Sequence, residues 1–455
     1  MTYLSINPFT EEPIAAFTEH SDAELSAILA QADTTFREDW RKRPFDARKA
    51  VLKQAAAILR ERRDDLARIA TTEMGKLYVE ALGEVALCAD IFDYYADRAE
   101  AILAARDLDV REGKAHIETS PIGPIFCIEP WNFPYYQLAR VAGPNLMAGN
   151  TIIVKHAPGV PQCALAFEKV LLDAGAPLGA YTNVFLTNDQ AATAIADPRV
   201  RGVALTGSER AGAAVAAAAG KALKKSTMEL GGSDAFIVLD DADLETAVRL
   251  AVGGRMMNTG QACTGSKRFI VHASIAEAFT AGFREELEKL VPGDPLDGRT
   301  KLGPLTSRAA LDHVLQQIEQ GVAGGAKVVT GGRKLDRRGY FLAPTILTEV
   351  APTNPVFHQE FFAPVAMVFA AENEEEAIKL ANDSPYGLGG AVISPNVERA
   401  KRVASRLDIG MVFINSTPTS APELPFGGVK NSGYGRELSD LGIAEFVNRK
   451  LVRVT

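Results

Sequence analysis

The strongest constraint on the fold is an alternation that begins at Gly123. Short apolar runs rich in β-branched residues are separated by stretches of helical period. TIIVK (151–155) reads as a buried strand and CALAFEKVLLDAG (163–175) as a helix ending at Gly175. NVFL (183–186), RGVALTG (201–207) and FIVL (236–239) read as further strands. Strands that are apolar throughout and separated by helices predict a parallel sheet covered on both faces, because parallel neighbours need a long crossover. Asp240-Asp241-Ala242-Asp243 then offers capping carboxylates ahead of the helical LETAVRLAV. A second α/β stretch runs from RFIVHAS (268–274) to VFINS (412–416). At 455 residues the chain exceeds what one core covers, so two or three domains are expected.

Upstream of this alternation, residues 22–105 read as helical. From Asp46 to Ala70, helical spacing collects Val51, Leu52, Ala55, Ile58, Leu59, Leu66 and Ile69 on one face. Residues 107–120 alternate in strand fashion around Glu112-Gly113-Lys114, which predicts a protruding hairpin. Such a ribbon is marginal alone and gains from a partner subunit. KLVRVT (450–455) reads as a short final strand.

Composition narrows the function classes. The net charge of −8 argues against a general nucleic-acid-binding surface. No uninterrupted apolar stretch reaches the roughly 18–20 residues that span a bilayer. The first residues carry acids where a secretory signal needs bases and an apolar core. Cys88, Cys127, Cys163 and Cys263 are scattered without CxxC spacing, so neither a metal site nor a disulfide framework is expected, and a reducing cytoplasm fits best.

Four short segments carry candidate chemistry. Cys263 lies in a glycine-flanked run, Asn258-Thr259-Gly260-Gln261-Ala262-Cys263-Thr264-Gly265, where substrate and backbone can approach closely. Taken alone it reads more readily as a small buried hydrophobe. None of the histidines, at positions 20, 116, 156, 272, 313 and 358, sits in a motif that pairs with it, which argues against a papain-like hydrolase. Glu229 precedes the double glycine Gly231-Gly232 and projects into a turn, as a catalytic carboxylate or as one solvated acid among 57. Pro130-Trp131-Asn132-Phe133-Pro134 clamps an amide between prolines and aromatics, as an oxyanion donor or as a rigid core turn. Thr206-Gly207-Ser208 joins a strand to the alanine-rich helix 209–219, an arrangement that suits a phosphate. It is not GxGxxG, since only Gly207 and Gly212 are available.

Together, PWNFP, LTGS, MELGG, GQAC, EFFAPV, PFGGVKNSG and GRELS resemble the aldehyde dehydrogenase superfamily, in its order and over essentially the whole chain. So do Gly293-Asp294-Pro295 with Leu302-Gly303-Pro304, and Asn382 with Tyr386-Gly387-Leu388. The resemblance implies an α/β fold of the aldehyde dehydrogenase type. Its parts are a Rossmann-like NAD(P)-binding domain over 1–106 and 121–231, an α/β catalytic domain over 232–430, and a β oligomerisation element from 107–120 and 445–455. A homodimer or homotetramer follows by the same resemblance.

The resemblance also implies roles. Cys263 matches the nucleophile, Asn132 and the Cys263 backbone N–H the oxyanion hole, and Glu229 the base that activates the deacylating water. Glu437 matches a second carboxylate that relays protons. Trp131, Lys155, Thr206, Gly207, Ser208, Leu230, Glu360 and Phe362 match the surroundings of NAD or NADP, with Lys155 at the adenosine ribose or its phosphate and Glu360 and Phe362 clamping the nicotinamide ribose. The implied reaction runs from thiolate attack through a thioester to a free acid. Ala363 replaces a glycine common at that position. Pro158 stands where many NAD-selective members carry a glutamate, so dual NAD/NADP use is expected.

KHAP (155–158), TGSERAGAA (206–214), ALKK, ELGGSDAFIVLDDADLE and SKRFIV (266–271) are most similar to bacterial succinate-semialdehyde dehydrogenases of the short type. That branch implies Arg140 for the substrate carboxylate, with Tyr135 and Tyr136 along the same tunnel and Ser420 as a partial substitute for a second arginine. Met257 stands where larger relatives carry a second arginine, which keeps lactaldehyde, glycolaldehyde or another small aldehyde as an alternative. An inactive member with a structural or binding role, and a cofactor-independent thiol esterase, are the remaining alternatives.

Overall fold

In the computed structural model, which describes residues 3–455, the alternation folds into two parallel sheets. The first has six strands in the order Gly433–Tyr434, Lys225–Glu229, Gly202–Thr206, Pro124–Glu129, Thr151–His156 and Tyr181–Val184. Only Gly433–Tyr434 runs antiparallel to its neighbour. The second has seven strands in the order Lys327–Thr330, Thr345–Thr348, Val365–Ala371, Ser266–His272, Asp234–Val238, Gly389–Ile393 and Met411–Ile414. Its sole antiparallel pair is the one at the Lys327–Thr330 edge. Thr151–His156, Gly202–Thr206, Asp234–Val238 and Gly389–Ile393 are buried at every position, as strands covered on both faces must be.

Local boundaries follow local chemistry. The helix after Thr151–His156 spans Pro161–Asp173, with proline in the first turn where a missing N–H costs nothing. Gly175 lies just beyond it at φ +91°, a conformation suited to glycine. Asp243 caps Leu244–Met256 by accepting from the Thr246 amide at 2.9 Å. The strand expected at 183–186 lies two residues earlier, at Tyr181–Val184. Phe185 and Leu186 leave the ladder because N-terminal residues take their backbone groups. The His20 amide donates to the Phe185 carbonyl at 2.8 Å, and the Leu186 amide donates to the Tyr3 hydroxyl at 3.0 Å.

The helical layer comprises Asp22–Glu38, Phe45–Glu61, Arg63–Met74 and Tyr78–Ile102. The continuous face expected from Asp46 to Ala70 breaks at Arg62 (φ −97°, ψ 17°), and Asp64 and Asp65 open the next helix. Tyr136–Ala148 is buried along its whole length against this layer.

The hairpin forms from Arg106–Leu108 and Lys114–Pro121, with Gly113 at φ +72° in its turn. A side chain at Gly113 would meet the Val454 carbonyl at 2.2 Å. The tail strand Val447–Val454 pairs with all eight residues of Lys114–Pro121. The ribbon is therefore three-stranded, and it leaves Leu451 61% and Val454 62% exposed. Among the described residues, no helix is long and apolar enough to cross a membrane.

Candidate active site

The chain crosses from one sheet to the other in four residues. Strand Lys225–Glu229 ends, Leu230-Gly231-Gly232-Ser233 turns, and Asp234–Val238 begins. The carboxyl ends of the first sheet thereby face loops that enter the amino ends of the second. Between them lies a cavity of about 620 Å³. Trp131, Asn132, Thr206, Gly207, Ser208, Glu229 and Leu230 line it from the first side, and Cys263, Glu360 and Phe362 from the second.

Cys263 is a half-buried free thiol, whereas Cys88, Cys127 and Cys163 are free and buried. Its loop is strained. Asn258, Thr259 and Gly260 stand in succession at φ 52°, 55° and 74°, and each non-glycine residue there costs of order 1–3 kcal/mol. Hydrogen bonds hold this conformation. The Asn258 amide donates to Glu80 Oε1 at 2.7 Å, and Asn258 Nδ2 donates to the carbonyls of Asn132 (2.8 Å) and Gln261 (3.1 Å). A side chain at Gly260 would lie 2.4 Å from the backbone of Ala363, so the loop packs directly on the segment that carries Glu360 and Phe362. Burial pushes the Cys263 thiol up to about 11, opposed by Lys267 and then Arg140, while Glu360 and Asp234 reinforce the rise.

Asn132 Nδ2 donates to the Gln261 carbonyl at 3.0 Å, two residues before the nucleophile. One amide proton is thus committed, and the second has no acceptor among the described residues. The Cys263 backbone N–H also donates to no described acceptor. Two donors therefore stand free beside the thiol, as an oxyanion hole requires.

Glu229 is 2% exposed at the end of its strand, and neither carboxylate oxygen has a hydrogen-bond partner. Burial, and then the charge of Glu437, hold its carboxyl well above the usual range, against the pull of Arg140 and Arg436. Glu437 is buried and ion-paired with Arg140. Burial raises its carboxyl too, with Arg140 opposing.

The substrate residues expected from the sequence do not line this cavity. Arg140 is fully buried, with its Nε against Glu437 and its Nη2 donating to Thr206 Oγ1 at 2.9 Å. Its guanidinium sits 5.0 Å from the Tyr136 ring centroid and 4.4 Å from that of Phe426. Its first duty is to balance Glu437, and it also meets the Tyr136 hydroxyl. The Tyr136 hydroxyl donates to Ser420 Oγ at 2.9 Å. Met257 opens the 3₁₀ turn Met257–Gly260 and is half-buried. Tyr135 corrects the expectation that both tyrosines face a tunnel. It is fully buried in the core next to Cys163, because its amide and that of Tyr136 both donate to Glu84 Oε1, at 2.8 and 3.0 Å.

The cofactor residues fit a dinucleotide. Ser208 caps helix Glu209–Lys221 by accepting from the Ala211 amide, so the helix amino end opens on the cavity, where a phosphate is favoured. Trp131 and Phe362 meet edge to face at 5.7 Å and form an apolar wall. Glu360 accepts from the Gly232 amide at 3.1 Å. Lys155 ends strand Thr151–His156 at the same sheet edge but outside the cavity wall, buried over the Tyr3 ring at 5.8 Å, and burial lowers its pKa. Sequence reasoning passed over two charged residues here. Lys267 sits in the fully buried start of strand Ser266–His272, and Glu129 ends a strand with both oxygens buried and unpartnered. In each case the signal is a charge inside a buried strand.

Comparison with known proteins agrees with this geometry. The profile of the aldehyde dehydrogenase family matches residues 1–452. A curated relative from Deinococcus radiodurans, named succinate-semialdehyde dehydrogenase (NADP+), is 49% identical over 99% of this chain and 94% of its own. A solved structure concerned with cofactor and substrate selection by Gox0499 is 56% identical with a TM-score of 0.99 over all of both chains. The succinic semialdehyde dehydrogenase of Streptococcus pyogenes, solved in complex with NADP+, is 48% identical with a TM-score of 0.98 over 99% of both chains. The chain belongs to the aldehyde dehydrogenase family.

Proposed function

We propose that this enzyme oxidises succinate semialdehyde to succinate with either NADP+ or NAD+. The observation that carries the reading is the convergence of Cys263, Asn132, Glu229 and Glu360 with the amino end of helix Glu209–Lys221 on one cavity. A bound nicotinamide supplies the hydride acceptor. The Cys263 thiolate attacks the aldehyde carbon, and the oxyanion forms against Asn132 Nδ2 and the Cys263 N–H. Loss of hydride from this adduct leaves a thioester on Cys263. Glu229 then takes a proton from water, which hydrolyses the thioester to the free acid. Glu437, paired with Arg140, adjoins Glu229 as the next proton acceptor.

The four-carbon dicarboxylate product is supported by Arg140, whose guanidinium beside the Tyr136–Ser420 pair has the geometry to bind a carboxylate. A second reading rests on the same residue. Because Glu437 already neutralises Arg140, a small uncharged aldehyde such as lactaldehyde or glycolaldehyde would meet no unbalanced charge. Dual cofactor use is supported by Pro158, which offers no carboxylate to repel a 2′-phosphate, and by relatives named for NADP+. Steady-state kinetics of the intact enzyme on succinate semialdehyde and butanal, each with both cofactors, separates these readings. At least tenfold higher kcat/KM for the acid aldehyde, with comparable use of both cofactors, is expected. Equal or reversed aldehyde preference overturns the substrate, and strict NAD+ use overturns the cofactor reading. Four unpaired thiols suit a reducing compartment such as the cytoplasm.

A homodimer or homotetramer is supported by the ribbon, which projects Leu451 and Val454 to the surface. Deleting residues 447–455 should lower the sedimentation coefficient, and a coefficient unchanged from the full chain would count against it.

A further inference from the structure

Lys267 touches both halves of the chemistry. Its side chain is 0% exposed. Its Nζ donates to the carbonyls of Ala262 (2.8 Å) and Cys263, and it is ion-paired with Glu360 Oε1 at 3.0 Å. Its three partners are held by two hydrogen bonds and one ion pair. Two are the backbone oxygens of the nucleophile and its predecessor. The third belongs to the carboxylate that faces the cavity from the other loop. A fully buried ammonium needs a counter-charge, and carbonyls satisfy its hydrogen bonds without neutralising it. Glu360 supplies that charge here.

We infer that Lys267 is a positioning residue that exchanges counter-ions, pairing with Glu360 in the free enzyme and with the Cys263 thiolate once a cofactor ribose draws Glu360 away. The inference rests on the proposed nicotinamide chemistry and adds a coupling to it. Among the described residues, the polar partners of the Glu360 carboxylate are Lys267 and the Gly232 amide, and part of its side chain reaches the cavity. A ribose hydroxyl that donates to Glu360 competes with Lys267 for the same oxygens. As that ion pair weakens, the buried positive charge favours the nearest group able to become an anion. No bond to Lys267 is made or broken. The thiol proton leaves to solvent through the cavity, and the thiolate takes over as counter-ion. The other charges facing Cys263 are Arg140 and Asp234. Arg140 is already committed to Glu437, and Asp234 holds the Gly389 amide through Oδ1 at 3.1 Å, while its Oδ2 is a second carboxylate oxygen near Lys267 that the thiolate must outcompete.

The test reads the thiol and needs no aldehyde. The rate of Cys263 alkylation by iodoacetamide is followed from pH 6 to 10 in the full-length enzyme, with and without saturating NADP+. In the natural sequence, NADP+ should bring the midpoint down by about one pH unit, which speeds alkylation about tenfold at neutral pH. Lys267→Met should move the cofactor-free midpoint upward and abolish the response to NADP+, whereas Lys267→Arg should restore much of it. Glu360→Gln should react several-fold faster than the natural enzyme without cofactor and gain little when NADP+ is added. If Lys267→Met lowers the rate equally at every pH with its midpoint unmoved, the lysine only scaffolds the loop and the inference fails. If Lys267→Met does not fold, Glu360→Gln still decides, since an unchanged cofactor-free rate overturns it. Failure of the aldehyde assays with these results intact would sink the substrate reading alone.

Discussion

The two parallel sheets contribute to the site from opposite ends. In the six-stranded sheet, every contributor follows a strand: Trp131 and Asn132 after Pro124–Glu129, Gly207 and Ser208 after Gly202–Thr206, and Glu229 at the end of Lys225–Glu229. In the seven-stranded sheet, the contributors precede strands: Cys263 before Ser266–His272, and Glu360 and Phe362 before Val365–Ala371. The first pattern is the usual one for open α/β sheets, where helix amino termini and strand carboxyl ends converge on a ligand. The second arises because the chain crosses between sheets in four residues and brings the amino edge of the new sheet to the carboxyl edge of the old. The difference separates two tasks. The first sheet presents rigid strand ends that bind and polarise, whereas the second presents a strained loop that carries the nucleophile.

This contrast can be broken from either side. The largest effect is expected on the loop. Cys263→Ala should abolish cofactor reduction with every aldehyde while leaving NADP+ binding intact by fluorescence titration; reduction at more than trace level would remove the thiol from the mechanism. Next is the strand-end base. Glu229→Gln should slow turnover by about 10²–10⁴ while sparing a burst of one reduced cofactor per site, since acylation precedes its step. The pH profile sharpens this. Burial and then Glu437 raise the Glu229 carboxyl, so the active carboxylate appears only above the ordinary range, and the wild-type deacylation rate should climb with pH through that raised value. A flat profile, or the same limb in the glutamine variant, assigns the titration elsewhere.

Asn132→Ala should cost about 100–1000-fold and suppress the burst itself, because its donor acts at acylation. A retained burst would leave the Cys263 N–H as sufficient. The smallest effect is at the helix start. Ser208→Ala removes a cap of about 1 kcal/mol and should weaken cofactor binding by only a few fold, measured by calorimetry. A loss beyond a hundredfold would show that Ser208 contacts the cofactor directly.

Much of this was legible along the chain because its signals are local. Apolar runs marked the buried strands, Asp243 and Gly175 marked helix ends, and PWNFP marked a clamped amide. The ends of Tyr181–Val184 were displaced by a hydroxyl from Tyr3, some 180 residues away in sequence, and no local pattern announces that contact. The same holds for Tyr135, turned inward when Glu84 captured its amide. Arg140 was expected at a substrate carboxylate from the resemblance alone, and its pairing with Glu437 was not legible.

The amino-acid sequence by itself determined the alternating strands and helices, the ribbon and, through its family motifs, Cys263 as the candidate nucleophile, because period, capping and short motifs act over a few residues and need no partner. Only the tertiary structure decided which charges neutralise one another. Arg140 answers Glu437, and Lys267 answers Glu360, across hundreds of residues in the first case and about ninety in the second. Counter-ion choice inside a protein is set by distance in a low-dielectric interior, and that distance exists only after the sheets have met.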